Sequence, residues 1–320
     1  MDGAAAGLRA AILEKRGVLR IAGPEARPFL QGLVTNDMDR VDETQAIYAA
    51  LLTPQGKFLF DFFIAAETSA AADPGFLLDC DGARATALLH RLTFYKLRAQ
   101  VTLEDVSGTF GVAALWGDGA AAQIGLNAGA HEGMAVQALD GTVFVDPRLA
   151  AMGVRALLPR TRIADTCREA GFAIAEATDY HRHRLALGVP DAALDLEPEK
   201  SFPLEANFDD LQAIAFQKGC FVGQEVTSRT KRRGRVRKRL LPVRVEGDLP
   251  RHGTPVRSIA REIGKIYSGA GDRALALLRL DLIGDGELEA GDARLFPEVP
   301  AWASFSLEET TEEEDGDDSD

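Results

Sequence analysis

The apolar positions of the chain alternate between helical and strand-like patterns. Phe29, Leu30, Leu33 and Val34 recur at helical spacing after Gly23-Pro24, which predicts a short helix with one apolar face, ended by Thr35-Asn36-Asp37. "AIYAALL" (46–52) and "KFLFDFFIA" (57–65) are apolar, aromatic-rich runs on either side of "TPQG". Proline at the second position of that tetrapeptide and glycine at the fourth fit a tight turn, so the two runs read as a β-hairpin. "GFLLDC" (75–80) reads as a further strand, Asp81 as the cap of a helix over "GARATALLHRLTFYKL", and "AQVTLEDV" as a returning strand. Residues 1–107 therefore read as an α+β lobe.

A similar order recurs in 108–239. "FGVAALWG" (110–117), "GTVFVDP" (141–147) and "VRALLP" (154–159) read as strands, with a short alanine-rich helix after the first and the helix "RIADTCREAG" after the last. No residue-level repeat relates the two lobes. "TDYHRHRLALG" (178–188) reads as a helix capped by Thr178 and stopped at Gly188-Val189-Pro190. The irregular stretch "DAALDLEPEKSFPLEANFDDL" follows, and irregular segments of that length point to function more than to packing. In 240–307, "LLPVRVEG", "TPVRS", "EIGKIYS", "ALALLRLD" and "ARLFPEV" recur at the spacing of a small all-β barrel or sandwich.

Composition adds little to this picture. At 320 residues, 46% hydrophobic and 27% charged, the chain is long enough for two or three globular domains. No run approaches the ~18 apolar residues of a membrane span, and the N-terminus lacks the basic start and apolar run of a secretory signal, so a cytosolic location is expected. The net charge of -13 is concentrated: residues 308–320 hold nine acids and no base, leaving about -4 on the rest. That segment has nothing apolar to bury and is expected to be a disordered, solvated tail. Cys80, Cys167 and Cys220 are far apart and odd in number, so they form neither a disulfide framework nor a CxxC site.

Candidate chemistry concentrates in "FQKGCFVGQEVTSRTKRRGRVRKR" (216–239). Gly219 permits backbone geometry barred to other residues, and a helix running from Cys220 to Arg233 and stopping at Gly234 would place the thiol at a helix start. There the dipole and Lys218 would both favour thiolate; the alternative is a buried cysteine packed beside Phe221 and Val222. Cys80 and Cys167, in an apolar strand and a helix, read as packing residues. Gln224 and Glu225 could bond the amide and amino edges of a heterocycle or cap the helix's own first turn. Eight of the eleven residues from Arg229 to Arg239 are Lys or Arg, suited to RNA phosphates, a polyglutamate tail or an acidic partner, or else paired with acids on a solvated face. Aromatic interleaving is missing, which weakens a base-stacking reading. His181 and His183 diverge on a helix, so no metal site is expected there.

"KGCFVGQE" followed by "SRTKRRG" resembles the signature of the YgfZ-type proteins, folate-binding iron–sulfur maintenance factors related to the glycine-cleavage T-protein. "FLQGLVTND" (29–37), "LLTPQGKFLFDF" (51–62), "YKLRAQVTLED" (95–105), "RHRLALGVPD" (182–191), "FPLEANFDDLQAIAFQKGC" (202–220) and "IGKIYS" with "ALALLRLD" (263–281) follow in the family's order. The resemblance implies an α+β fold of T-protein type: three domains ringed around a channel, two α+β lobes and a C-terminal β-barrel, with tetrahydrofolate in the channel. It further implies a functional thiol at Cys220 with Lys218 beside it. The folate contacts would come from Asn36, Asp61, Gln224, Glu225 and Arg229, with Trp116 as an optical reporter. The partners it implies are iron–sulfur client and carrier proteins, with indirect effects on tRNA thiomodification. Two T-protein features are altered: Ala186 stands where that protein has its pterin-binding glutamate, and Phe60-Asp61 where it has paired acids. Aminomethyl transfer, with Asp61 as the remaining acid, and direct RNA binding through the basic run are the competing expectations.

Overall fold

A computed structural model describes residues 7–67, 75–126, 129–232, 236–259, 261–284 and 287–306. The chain divides into two units: Met1–His181 with Glu197–Ser201 and Leu211–Ser228, and Arg182–Leu196 with Phe202–Asp210 and Arg229–Asp320. The first unit opens with β1 (Arg9–Ile12), β2 (Arg16–Ala22), α1 (Ala26–Gln31), β3 (Ile47–Leu52), β4 (Phe58–Ala66), β5 (Phe76–Asp81), α2 (Ala85–Lys96) and β6 (Thr102–Asp105). Five of the strands form an antiparallel sheet in the order β3-β4-β5-β2-β6.

The expected hairpin is present, with Ile47 opposite Ile64 and Leu52 opposite Phe58, and Gly56 N donating to Thr53 O across the turn. Gly56 has φ +75°, a left-handed geometry that a side chain would strain, which accounts for glycine at the fourth position. Residues 58 to 65 are all buried. Because successive strand side chains point to opposite faces, the run meets two environments. Phe60, Phe62 and Ile64 enter an apolar core with Leu30, Leu51, Leu78, Leu88 and Leu92, while Asp61 and Phe63 face a layer of charged side chains. Asp81 caps as expected, accepting from Ala83 N at 3.1 Å, but through a single 3-10 turn that precedes α2. The helix after Gly23-Pro24 is shorter than its apolar spacing implies. It ends at Gln31, and Val34 bridges Leu51, so Leu33 and Val34 reach the core from outside the helix.

The chain continues through β7 (Phe110–Trp116), α3 (Ala120–Gln123), β8 (Ala135–Ala138), β9 (Gly141–Val145), β10 (Val154–Pro159), α4 (Ile163–Glu169), β11 (Ala173–Ile174), α5 (Ala177–Ala186), α6 (Ala192–Asp195) and α7 (Gln224–Arg232). The second sheet of the first unit runs β11-β1-β7-β10-β9-β8. Strand β1, which lies within the span assigned to the first lobe, thus belongs here, antiparallel to β7 and parallel to β11. Its four residues carry no mark of which sheet they join, since strand pairing is a non-local choice. Thr178 does not cap its helix: α5 already starts at Ala177, which leaves Thr178 inside the first turn.

In the second unit β12 (Lys238–Glu246), β13 (Pro255–Ser258), β14 (Arg261–Ala270), β15 (Arg273–Arg279), β16 (Leu288–Ala290) and β17 (Ala293–Pro297) close into a barrel, in the order β12-β15-β14-β13-β16-β17. Alternate residues such as Leu241, Val243 and Val245, and Ala274, Ala276 and Leu278, fill its interior. The buried pair Arg184–Asp195, 2.9 Å apart, anchors the segment before the barrel, because Arg184 also donates to Ser268 Oγ and Asp195 accepts from Ser268 N. The acidic tail and the cations Arg233 and Arg235 lie outside the described residues.

Candidate functional site

"KGCFVGQE" forms the loop that leads into α7. Lys218 is 9% exposed, and its ammonium donates to three carbonyls: Gln31 at 2.8 Å, Val34 at 2.8 Å and Asn36 at 2.7 Å. Burial pushes its pKa down to about 8, against the opposing pull of Asp37 and Asp39. Two residues of the neighbouring segment continue the attachment: Thr35 Oγ1 donates to Ala213 O at 2.7 Å, and Ala215 N donates to Thr35 O at 3.0 Å. On the other side of the loop Gly223 has φ +84°, and a Cβ there would lie 2.6 Å from Thr53 O and 3.0 Å from Leu52 Cβ. A Cβ on Gly56 would likewise meet Val226 Cβ at 3.0 Å. The hairpin turn and the loop therefore touch backbone to backbone, which only glycines permit.

Between these two anchors Cys220 is exposed, which excludes the buried-packing alternative. It is not at a helix start, however. α7 begins at Gln224, and Gln224 N bonds to Phe221 O in a turn that separates the helix from the thiol. The ammonium of Lys218 is turned into the carbonyl nest. The first residue of α7 follows Cys220 by four positions, and the lysine ammonium is committed to the three carbonyls. The glycine that needs a left-handed backbone is Gly223; Gly219 has no positive φ, and a Cβ there would meet nothing within 4 Å. Cys80 and Cys167 are buried, and burial pushes their thiols up to about 12 and about 11.

A chain of contacts leads from the loop to Asp61. Asn36 donates its amide to Tyr48 O and Gln212 O, both at 2.7 Å, and its Oδ1 accepts from Asp37 N. Tyr48 donates its hydroxyl to Asp61 Oδ2 at 3.0 Å. Beyond it lies the charged layer. Asp79 pairs with Arg16 and Arg155, each at 2.6 Å, and Asp146 pairs with Arg148 at 2.7 Å, with Arg155 3.8 Å away. The Phe63 ring meets all three guanidiniums, its centroid 3.9 Å from Arg155, 4.9 Å from Arg148 and 5.7 Å from Arg16. Burial alone would raise the Asp146 carboxyl, but Arg148 and Arg155 outweigh it and hold the pKa below its ordinary value. Burial and the Asp61 charge raise the Tyr48 hydroxyl well above its own. Among these charges only Asp61 was a sequence candidate. The available signal was a charge set inside an apolar strand, as in "GFLLDC" and "VRALLP", because such a charge must find a partner.

The other candidates are dispersed. Gln224, half-buried, and Glu225, exposed, stand in the first turn of α7, and Arg229 is exposed further along it. Part of the basic run is committed to the fold: Arg239 is buried, pairs with Asp209 at 2.8 Å and donates to Leu204 O, and Lys231 pairs with the same carboxylate at 2.8 Å. Trp116 is buried against Tyr180, and Ala186 is exposed. Among the described residues no group of three or more His, Cys, Asp or Glu could hold a metal ion, and no helix is long and apolar enough to cross a membrane.

Residues 237–305 match the family described as CAF17, C-terminal beta-barrel domain. Over 91% of its length the chain is 34% identical to the iron-sulfur cluster assembly factor IBA57, mitochondrial, of Mus musculus and 33% identical to that of Homo sapiens, covering 84% of each. The glycine cleavage system aminomethyltransferase T from Bartonella henselae superposes with a TM-score of 0.73 at 16% identity, over 92% of this chain and 86% of that one. The fold is thus the α+β aminomethyltransferase-like fold with a closed six-stranded barrel. The relatives are designated mitochondrial, which overturns the cytosolic expectation. The missing secretory features bear on secretion alone, because transit peptides are amphipathic and Arg-rich and lack a secretory apolar core.

Proposed function

The chain belongs to the IBA57 family of iron–sulfur cluster assembly factors, as its 34% identity over most of both chains shows, and from that premise we propose that Cys220 is its working contact with cluster, carrier or client. One observation carries this reading: of the three cysteines only Cys220 is exposed, and its loop is braced on one side by Lys218 and on the other by Gly223. A single thiolate is too few to hold a cluster in the usual four-thiolate manner, so contact is transient and no stable cluster copurifies. The clients are proposed to include [4Fe–4S] enzymes, among them radical enzymes that thiomethylate tRNA. Kinship to the YgfZ-type branch is part of the same proposal.

Reduced folate enters this proposal through resemblance alone, and the residues present fit it poorly. The Asn36 amide is engaged by two carbonyls, Asp61 by Tyr48, and position 186 offers no carboxylate. No step is routed through folate. Weak binding, short of a charge-assisted pterin pair by roughly 1.5–3 kcal/mol, is what calorimetry with tetrahydrofolate should find. The same facts weigh against aminomethyl transfer, which ammonia release from an aminomethyl donor would reveal. RNA binding is disfavoured by the engagement of Arg239 and Lys231 with Asp209. The test is a deletion strain under oxidant: wild type restores aconitase-type activity and thiomethylated tRNA, and Cys220→Ser does not. Unchanged activities in the deletion strain, with glycine cleavage impaired instead, would favour the aminomethyltransferase reading.

A further inference from the structure

Helix α2 makes its core contacts on one side only. Ala85, Leu88 and Leu92 are buried, with Leu89 and Tyr95 packed partly against the same core. Its outer side ends in apolar residues that remain uncovered: Phe94 is 70% exposed, and Leu97, which caps the helix, is 87% exposed. The two stand three positions apart and so share a face, and the Phe94 ring meets Tyr95 edge-on at 5.8 Å. Leu97 also has φ +45°, a geometry that a β-carbon disfavours and that glycine adopts freely. A side chain in the core would offset the cost of that backbone, and this leucine has none there. The residues flanking the pair are cations. His90 and Arg98 are exposed, Arg91 and Lys96 are half-buried, and among the described residues none of the four forms an ion pair. Acids on neighbouring segments are engaged elsewhere: Glu25 accepts from Gln100 N, Glu104 lies 3.9 Å from Arg20, and Asp105 accepts from Ser107. Lys96 in the last turn complements the helix dipole, which explains a cation there but neither large apolar side chain.

We propose that the C-terminal end of α2, with Phe94 and Leu97 flanked by His90, Arg91, Lys96 and Arg98, docks the protein on the surface of an anionic membrane. The cations select negatively charged headgroups, each Lys or Arg near such a surface strengthening binding roughly fivefold. They also disfavour a second copy of the chain in a twofold contact, which would set the same cations against one another. The apolar area is on the order of 300 Å², well under the ~800 Å² that each side of a stable protein interface buries. A lipid surface needs no matching pocket. Two side chains that stand out from the protein enter the headgroup layer while the cations stay at the phosphates. No described helix is long and apolar enough to cross a membrane, so the contact is peripheral. Nothing in this docking depends on Cys220.

Co-sedimentation of the full chain with vesicles tests it. Wild type should pellet with vesicles of phosphatidylcholine mixed with phosphatidylglycerol and stay in solution with phosphatidylcholine alone. It should be largely released at about 1 M salt, where screening acts over ~3 Å. Phe94→Ser/Leu97→Ser should weaken binding roughly tenfold or more, and Arg91→Gln/Lys96→Gln/Arg98→Gln about a hundredfold, with circular dichroism showing both variants folded. Phe94→benzoylphenylalanine, irradiated with anionic vesicles and cell lysate present together, should give lipid adducts. Equal pelleting with neutral vesicles, variants that bind like wild type, or no pelleting at all would overturn the proposal. Adducts to another protein or to a second copy, in place of lipid, would give the face to that occupant and overturn it as well.

Discussion

Replacing Lys218 by methionine keeps the length of the side chain and removes the charge that three carbonyls share. Gln31 O, Val34 O and Asn36 O then point into a space without a donor. A buried acceptor left unsatisfied costs roughly 1–3 kcal/mol, and part of the sum is returned because the costly burial of the ammonium disappears as well. A net loss of about 2–4 kcal/mol follows, which for a unit of this size lowers the melting temperature by roughly 4–16 °C. The pH dependence gives a second readout. The folded pKa of about 8 lies below the unfolded value of 10.5, so between these values the unfolded chain binds more protons, and stability rises with pH. Wild type should show this rising contribution and Lys218→Met should lack it, so the gap between them widens as pH increases from 8. Thermal unfolding at several pH values, with limited proteolysis across 216–223 to report loosening of the loop, is the assay. Equal melting temperatures and parallel pH profiles would refute the bracing role.

Gly223→Ala should destabilise by about 1–3 kcal/mol in chemical denaturation, because the new methyl must clear Thr53 O in a left-handed backbone; an unchanged midpoint would show that the turn relaxes freely. Asp79→Asn leaves Arg16 and Arg155 without their shared carboxylate and should cost about 3–5 kcal/mol, and the double change with Arg155→Met should recover part of it, as a double-mutant cycle would show. Iodoacetamide at neutral pH should label Cys220 in the native protein and reach Cys80 and Cys167 only after unfolding, as peptide mapping would establish.

The hairpin, the β5–α2 step and the barrel were legible because each is written in local terms: turn residues at fixed offsets and apolar runs of strand length. The placement of β1 was not, because which sheet a four-residue strand joins is decided by residues far along the chain. At the site, the segment holding Cys220 was legible but its geometry was misread. A helix start at Cys220 was inferred from a stretch compatible with a helix up to the stop at Gly234, whereas the left-handed turn at Gly223 delays the helix to Gln224. Lys218 was recognised for its charge next to a thiol, yet its three partners come from residues 31–36, a distant part of the chain that periodicity alone cannot bring into view. Asn36 and Asp61 were singled out as the folate contacts that the resemblance implies. Their partners, Gln212 and Tyr48, assign them to holding the loop and the charged layer.

The central claim, that the braced loop exists to present one thiol to iron–sulfur partners, is tested most directly by a reconstituted maturation reaction. An apo-[4Fe–4S] enzyme, an iron–sulfur carrier and the purified protein are combined, and recovery of aconitase-type activity is followed with time. Wild type and the double variant Cys80→Ala/Cys167→Ala should accelerate recovery, while Cys220→Ser should fold normally, as circular dichroism would confirm, and give none. Full acceleration by a folded Cys220→Ser protein would contradict the account.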